Sequence, residues 1–148
     1  MVKIQVAVEA TDKLVESYER LIPQLSTTSN PPSKNELAQI INSETATILF
    51  AEDDNGLIVG TMTLILFRIP TGIRAWIEDV VVDSGSRGQG IGKKLNQFAL
   101  ELAEKSGAKT VDLTSRPARE SANKLYQQLG FTIRETNVYR LTFNETSE

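Results

Sequence analysis

Residues 80 to 100 read VVVDSGSRGQGIGKKLNQFAL, and the fold turns on how this stretch is divided. Its opening valines are an apolar run of strand type. From Gly90 the period becomes helical, with Ile91, Leu95, Phe98 and Leu102 on one face and Gly107 as the stop. KTVDLTS, residues 109 to 115, then reads as a second strand. Strand, helix and strand in that order form a parallel crossover, which is right-handed in nearly all proteins.

Upstream, residues 46 to 52, 57 to 67 and 73 to 82 are rich in β-branched and aromatic residues and are separated by DDNG and by Pro70-Thr71-Gly72, which predicts an antiparallel meander. Residues 2 to 8 predict a strand. Leu14, Val15, Tyr18, Leu21 and Ile22 repeat at helical spacing after the Thr11-Asp12 start signal, and Pro23 is expected to close that helix. STTSNPPS, residues 26 to 33, is a loop by composition. Ser33 and Glu36 then form a capping box ahead of Leu37, Ile40 and Ile41. Downstream, a helix is expected from Pro117 to Leu129, ended by Gly130, followed by two short strands, FTIR and VYRLTF, and a frayed tail, NETSE. The class is α+β, a mixed and mostly antiparallel sheet with one β-α-β crossover and flanking helices. No linker or repeat divides residues 1–148, so a single domain is expected.

A chain of 148 residues with 40% hydrophobic and 24% charged residues can bury a core without disulfides or metals. It has no cysteine and no histidine, which removes thiolate nucleophiles, cysteine-based metal sites and the commonest general base. Catalysis must then use carboxylates, Tyr, Ser, Thr, Lys, backbone or water, and no metal is expected. Net charge is −3 and the basic residues form no block, so no nucleic-acid surface is expected. Neither a membrane span nor a secretory signal is read from the sequence, and a cytoplasmic location follows by default.

The segment GSRGQGIGKK, residues 85 to 94, lies where the strand meets the helix. Glycines let the backbone approach a ligand, while the first amides of a helix are unsatisfied and its dipole favours an anion, so phosphate is the natural guest. The Walker A spacing fails, because counting back from Lys93 puts Arg87 where its first glycine belongs. The dinucleotide pattern fails too, since Lys93 or Leu95 stands in place of its third glycine. Gly88, Gly90 and Gly92 nevertheless exceed what a turn needs.

RGQGIG between an apolar strand and a helix, together with NKLYQQLGF at 123 to 131, closely resembles the two hallmarks of the GNAT N-acetyltransferase superfamily. The resemblance covers about the whole chain. It implies an enzyme that transfers acetyl from acetyl-CoA to a primary amine of a small molecule or peptide. The alternative is a coenzyme A-binding regulatory or interaction module without turnover. It further implies that the amides of Arg87, Gly88, Gln89, Gly90, Ile91 and Gly92 bind the coenzyme pyrophosphate, and that the backbone of Val80 and Val82 pairs with the pantetheine arm. Tyr126 is the implied donor of a proton to the departing thiolate. Where many members carry Asn seven residues before this Tyr, the chain has Arg119, with Arg116 nearby; Arg119 is a candidate for a coenzyme phosphate, for an acceptor anion, or for a plain solvated charge.

Glu78 stands in the otherwise apolar WIEDVVV, where a charge is costly unless paired or used. A carboxylate there could take the proton that an amine nucleophile must lose. The segment IEDVVV also resembles glucosamine-6-phosphate N-acetyltransferases, in which such an acidic pair lies at the acceptor site. The resemblance to the GNAT superfamily as a whole also implies that the loop 26 to 35 and the turn from Arg134 to Asn137 border the acceptor site, and a homodimer is compatible with the sequence.

Overall fold

The computed structural model describes residues 1–143; the expected frayed tail lies outside the described residues. The chain divides into two compact units, the first Met1–Arg116 and the second from Pro117 onward. The first unit holds β1 (Lys3–Val6), α1 (Asp12–Leu25), α2 (Lys34–Ile41), β2 (Ala46–Glu52), β3 (Ile58–Ile69), β4 (Gly72–Val82), a short 3₁₀ turn (Ser84–Ser86), α3 (Ile91–Lys105) and β5 (Thr110–Asp112). The strands form one sheet in the order β1-β2-β3-β4-β5. Neighbours are antiparallel through β4, and β4 pairs with β5 in parallel, so the expected α+β class with its crossover is observed.

Both faces of the sheet are covered. Ile48 and Leu49 are adjacent in β2 and therefore point to opposite faces, yet both are buried. Ile48 joins Leu14, Tyr18, Leu21 and Ile22 of α1 and Leu37 of α2 in one apolar cluster. The other helix, α3, buries Ile91, Leu95, Ala99 and Ala103. Its approach to β3 is close: a Cβ at Gly60 would stand 3.2 Å from both the Ile91 and Leu95 side chains. A side chain there would press on those neighbours by a few tenths of an ångström.

The helix starts follow the sequence signals. Thr11 caps α1 by accepting from Leu14 N–H, and Ser33 and Glu36 make the expected reciprocal box at α2. Pro23, however, lies inside α1, and Ser26 N–H still donates to Ile22 O at 2.9 Å. A proline loses its own N–H bond and its ring crowds the carbonyl four residues back, but in the last turn these local costs do not stop the helix from reaching Leu25.

In the second unit the helix α4 (Glu120–Gln128) starts later than expected, after the N-cap residue Arg119, which makes no side-chain cap bond. The two expected short strands, FTIR and VYRLTF, are absent: residues 131–143 lie outside helix and strand. Phe131 N–H turns back to Tyr126 O, while Ile133, Val138, Tyr139, Leu141 and Phe143 are exposed. Alternation marks these residues as fit for a strand but supplies no ladder partner. Among the described residues no helix is long and apolar enough to cross a membrane.

Leu95 is fully buried between α3 and the sheet, so Leu95→Ala is expected to lower unfolding free energy by about 2–5 kcal/mol. Urea denaturation measures it; a loss under ~1 kcal/mol would contradict the close packing of α3.

Candidate functional site

In the first unit, β4 is the element that positions the candidate groups. It is far longer than its parallel partner, which meets it only from Arg74 to Trp76. Among the described residues, the stretch from Ile77 to Val82 therefore has no neighbouring strand on that side. Val81 points into the core with α1, while Val80 and Val82 stay half-buried on the other face.

A bulge interrupts β4 against β3. Thr63 faces Glu78 and Thr61 faces Val81, so Met62 alone spans Asp79 and Val80. Asp79 adopts φ 52°, a left-handed value that Asp tolerates better than most residues. The bulge breaks the alternation that would put adjacent acids on opposite faces, and both Glu78 and Asp79 are exposed. Glu78 thus stands at the surface, its Oε1 accepting from Trp76 Nε1 at 2.7 Å. Asp79 is exposed as a residue, yet nearby protein displaces enough water to raise its carboxyl pKa, and the charge of Glu78 raises it further.

Near Asp79 lies a phenol that helical spacing alone does not mark as part of the site. Tyr18 of α1 is buried, and its pKa is pushed up to about 12, by burial first and by the charge of Asp79 to a smaller extent. Thr61 lowers it through its hydroxyl, although that buried Oγ1 makes no hydrogen bond of good geometry. A tyrosine at a core position among Leu and Ile was the available signal, since a buried phenol needs a polar reason.

After β4 the backbone amides sort into two groups. Ser84 N–H donates to Gln24 Oε1, Gly85 N–H to Asp83 Oδ1 and Ser86 N–H to Asp83 O. From Gly88 through Lys93 no described protein acceptor meets an amide, and the first helical bond of α3 is Lys94 N–H to Gly90 O. Gly90 occupies the N-cap with φ 75° and no side-chain cap, and Gly88 has φ 80°. A Cβ at Gly85, Gly88 or Gly90 would meet nothing within 4 Å, so the space over the loop is open and a side chain would fill it. Free amides, a helix N-terminus and open space suit a phosphate-bearing ligand. Arg87 turns its Nε back toward Val82 O at 3.4 Å.

In the second unit, Tyr126 is largely buried, with its ring edge-on to Phe131 at 5.7 Å between centroids. Burial raises its pKa, and the positive charge of Arg119 opposes this. The phenol is therefore held protonated. Arg119 sits at the N-cap position of α4, where its carbonyl accepts from Asn123 Nδ2 at 2.9 Å.

The open strand edge of a mixed sheet and an uncapped glycine turn are the features that mark this site. Residues 12–131 match the model of the acetyltransferase (GNAT) family, and the chain belongs to that family. It is 35% identical over 116 residues to the glucosamine 6-phosphate N-acetyltransferase of Trypanosoma brucei, covering 74% of this chain and 77% of that one. It is also 34% identical over 76 residues to the N-alpha-acetyltransferase 30 of Schizosaccharomyces pombe, covering 51% of this chain and 50% of that one. The match thus spans about half the length of some curated relatives. Among solved structures, a Trypanosoma brucei acetyltransferase aligns at 29% identity with a TM-score of 0.78 over 97% of this chain and 100% of that one. An aminoglycoside acetyltransferase from a soil metagenome aligns at 22% identity and TM-score 0.82 over 97% of each chain, a likeness of fold.

The raised pKa of Asp79 makes a prediction about stability. A carboxyl whose folded pKa lies above its unfolded value costs stability once ionised: the cost is absent below the unfolded pKa of about 3.9 and complete above the folded one. Asp79→Asn, which keeps a residue tolerant of positive φ, is expected to stabilise at pH 7 by less than ~1 kcal/mol, given solvent screening, and to give no gain at pH 3. Urea melts at the two pH values test this; equal gains at both would contradict it.

Proposed function

We propose that the chain is an acetyl-CoA-dependent N-acetyltransferase that transfers acetyl directly to a primary amine of a small molecule or peptide. In this reading both units serve one N-acetyltransferase domain spanning 1–148, a view supported by a family match that runs through both. The observation that carries the proposal is the run of unmet amides from Gly88 through Lys93 over open space. Those amides, with those of Arg87, would hold the pyrophosphate, and the free edge of β4 at Val80 and Val82 would pair with the amide-bearing arm, in the manner of strand addition. Arg119 is assigned to coenzyme binding on its charge.

Acetyl-CoA supplies an activated thioester as the acyl donor. The chain's own task is to move protons. Forming the new N–C bond releases a proton from the amine nitrogen, and breaking the C–S bond leaves a thiolate that needs one. Glu78 is assigned the first, directly or through water, and the protonated phenol of Tyr126 the second. The acceptor is an amine presented near the Glu78-Asp79 pair, with the loop 26 to 35 and the turn 134 to 137 setting its identity. The exposed apolar row Ile133, Val138, Tyr139, Leu141 and Phe143 is the feature that would support a homodimer.

Two variants at Gly90 separate space from backbone. Its φ of 75° disfavours Val but is tolerated by Asn, and either side chain fills the open space. Both are expected to weaken acetyl-CoA binding by at least about tenfold, ~1.4 kcal/mol, in a chain that circular dichroism shows folded. If Gly90→Asn binds like the parent, the phosphate cradle is wrong.

The proton assignments separate by pH. Glu78→Gln is expected to depress turnover most at low pH, where the acceptor amine is protonated, with partial rescue toward the amine's own pKa. Tyr126→Phe is expected to lower turnover on the order of 10²-fold with little change in coenzyme affinity and no such rescue. Near-parental pH-rate profiles for both would remove these roles.

A further inference from the structure

The amides on the two sides of Arg87 differ because one side is tied down by α1. Arg20 and Gln24 are four residues apart and share a helix face. Arg20 donates through Nε to Asp83 Oδ2 at 3.2 Å and through a second nitrogen to Ile58 O. Gln24 donates to Asp83 Oδ1 at 3.4 Å and to Arg20 O at 3.3 Å, and accepts from Ser84 N–H at 2.8 Å. Asp83 in turn accepts from Gly85 N–H, and its own N–H donates to Val59 O at 2.8 Å. The helix α1 and the turn after β4 thus meet on the Asp83 carboxylate, while the start of β3 accepts from Arg20 and from the Asp83 N–H. Burial alone would raise the pKa of Asp83, but the bonds from Gly85, Arg20 and Gln24 outweigh it and hold the carboxyl below its usual value.

We infer that Arg20, Gln24 and Asp83 are positioning residues for the coenzyme: they fix the 3₁₀ turn Ser84–Ser86 so that the glycine loop enters α3 with its amides already aimed at the pyrophosphate. The inference rests on the coenzyme reading of the loop given above. Satisfying the amides of Ser84, Gly85 and Ser86 internally does two things. It removes them from competition for the ligand, and it spends the ordering entropy of the turn during folding, before binding. Because Gln24 lies two residues before the loop opened by Ser26, the same helix anchors the coenzyme turn and leads into the segment assigned to the acceptor.

None of this is carried by the RGQGIG pattern. Arg20 and Gln24 lie 63 and 59 residues before Asp83, and no local spacing joins that pair to it.

The test compares Asp83→Ala, Asp83→Asn, Gln24→Leu and Gly90→Val with the parent by calorimetric titration with coenzyme A and by steady-state kinetics. Asp83→Ala and Gln24→Leu are expected to weaken coenzyme A binding about tenfold, ~1.4 kcal/mol. The loss should appear as a raised KM for acetyl-CoA, with kcat and the acceptor KM changing less than about twofold. Asp83→Asn keeps an acceptor oxygen for Gly85 N–H but turns an amide toward Arg20, so its affinity is expected to fall between the parent and Asp83→Ala; Gln24→Leu serves if Asp83→Ala fails to fold. A general structural loss would move kcat and both KM values together, and that result overturns the inference. If Gly90→Val loses binding while Asp83→Ala and Gln24→Leu stay within about twofold of the parent, the clamp is wrong and the coenzyme site stands. If the parent itself does not bind coenzyme A, the site reading fails and takes the clamp with it.

Discussion

Backbone amides without acceptors are the constraint around which this chain is organised. A helix begins with N–H groups that its own carbonyls cannot reach, and most helices answer with a side-chain cap, as Thr11 and Ser33 do here. The helix α3 does not. Gly90 in a left-handed conformation supplies no side-chain oxygen, and the glycines around it keep the space clear. The same economy appears in β4, whose second half, among the described residues, has no strand beside it on the β5 side. Two sets of unused backbone groups, one at a strand edge and one at a helix end, are joined by a single short turn.

That arrangement demands rigidity elsewhere. A strand end paired on one edge only and a loop of glycines would both wander unless held, and the chain holds them by covering the sheet on both faces. The cluster of α1 and α2 buries one side through Ile48 and Val81, and α3 closes on the other over Gly60. The bulge at Asp79 breaks this regularity in β4, and it puts two adjacent carboxylates at the surface of a strand that otherwise alternates.

Much of this was legible in the sequence because it is written locally. Period changes marked the crossover from β4 through α3 to β5, Ser33 and Glu36 marked α2, and the spacing of Gly88, Gly90 and Gly92 marked the loop. What was not legible depends on partners distant in the chain. Pro23 stops a helix in isolation, but here it falls in the last turn, where one lost bond is affordable. The alternation in residues 138 to 143 asks for a strand, and pairing is not a property of the segment that asks. The exposure of Glu78 follows from the register between β3 and β4, which a strand pattern does not carry. Tyr18 looks like any core residue until Asp79 is placed near it.

The most direct measurement of the central claim is a heteronuclear NMR titration of the amide-labelled chain with coenzyme A, read residue by residue. The account predicts large shifts for the amides of Gly88 through Lys93 and for Val80 and Val82, with those of Ser84, Gly85 and Ser86 changing little because their acceptors lie within the protein. Binding that leaves Gly88 through Lys93 unmoved, or that shifts Ser84 through Ser86 instead, would contradict it.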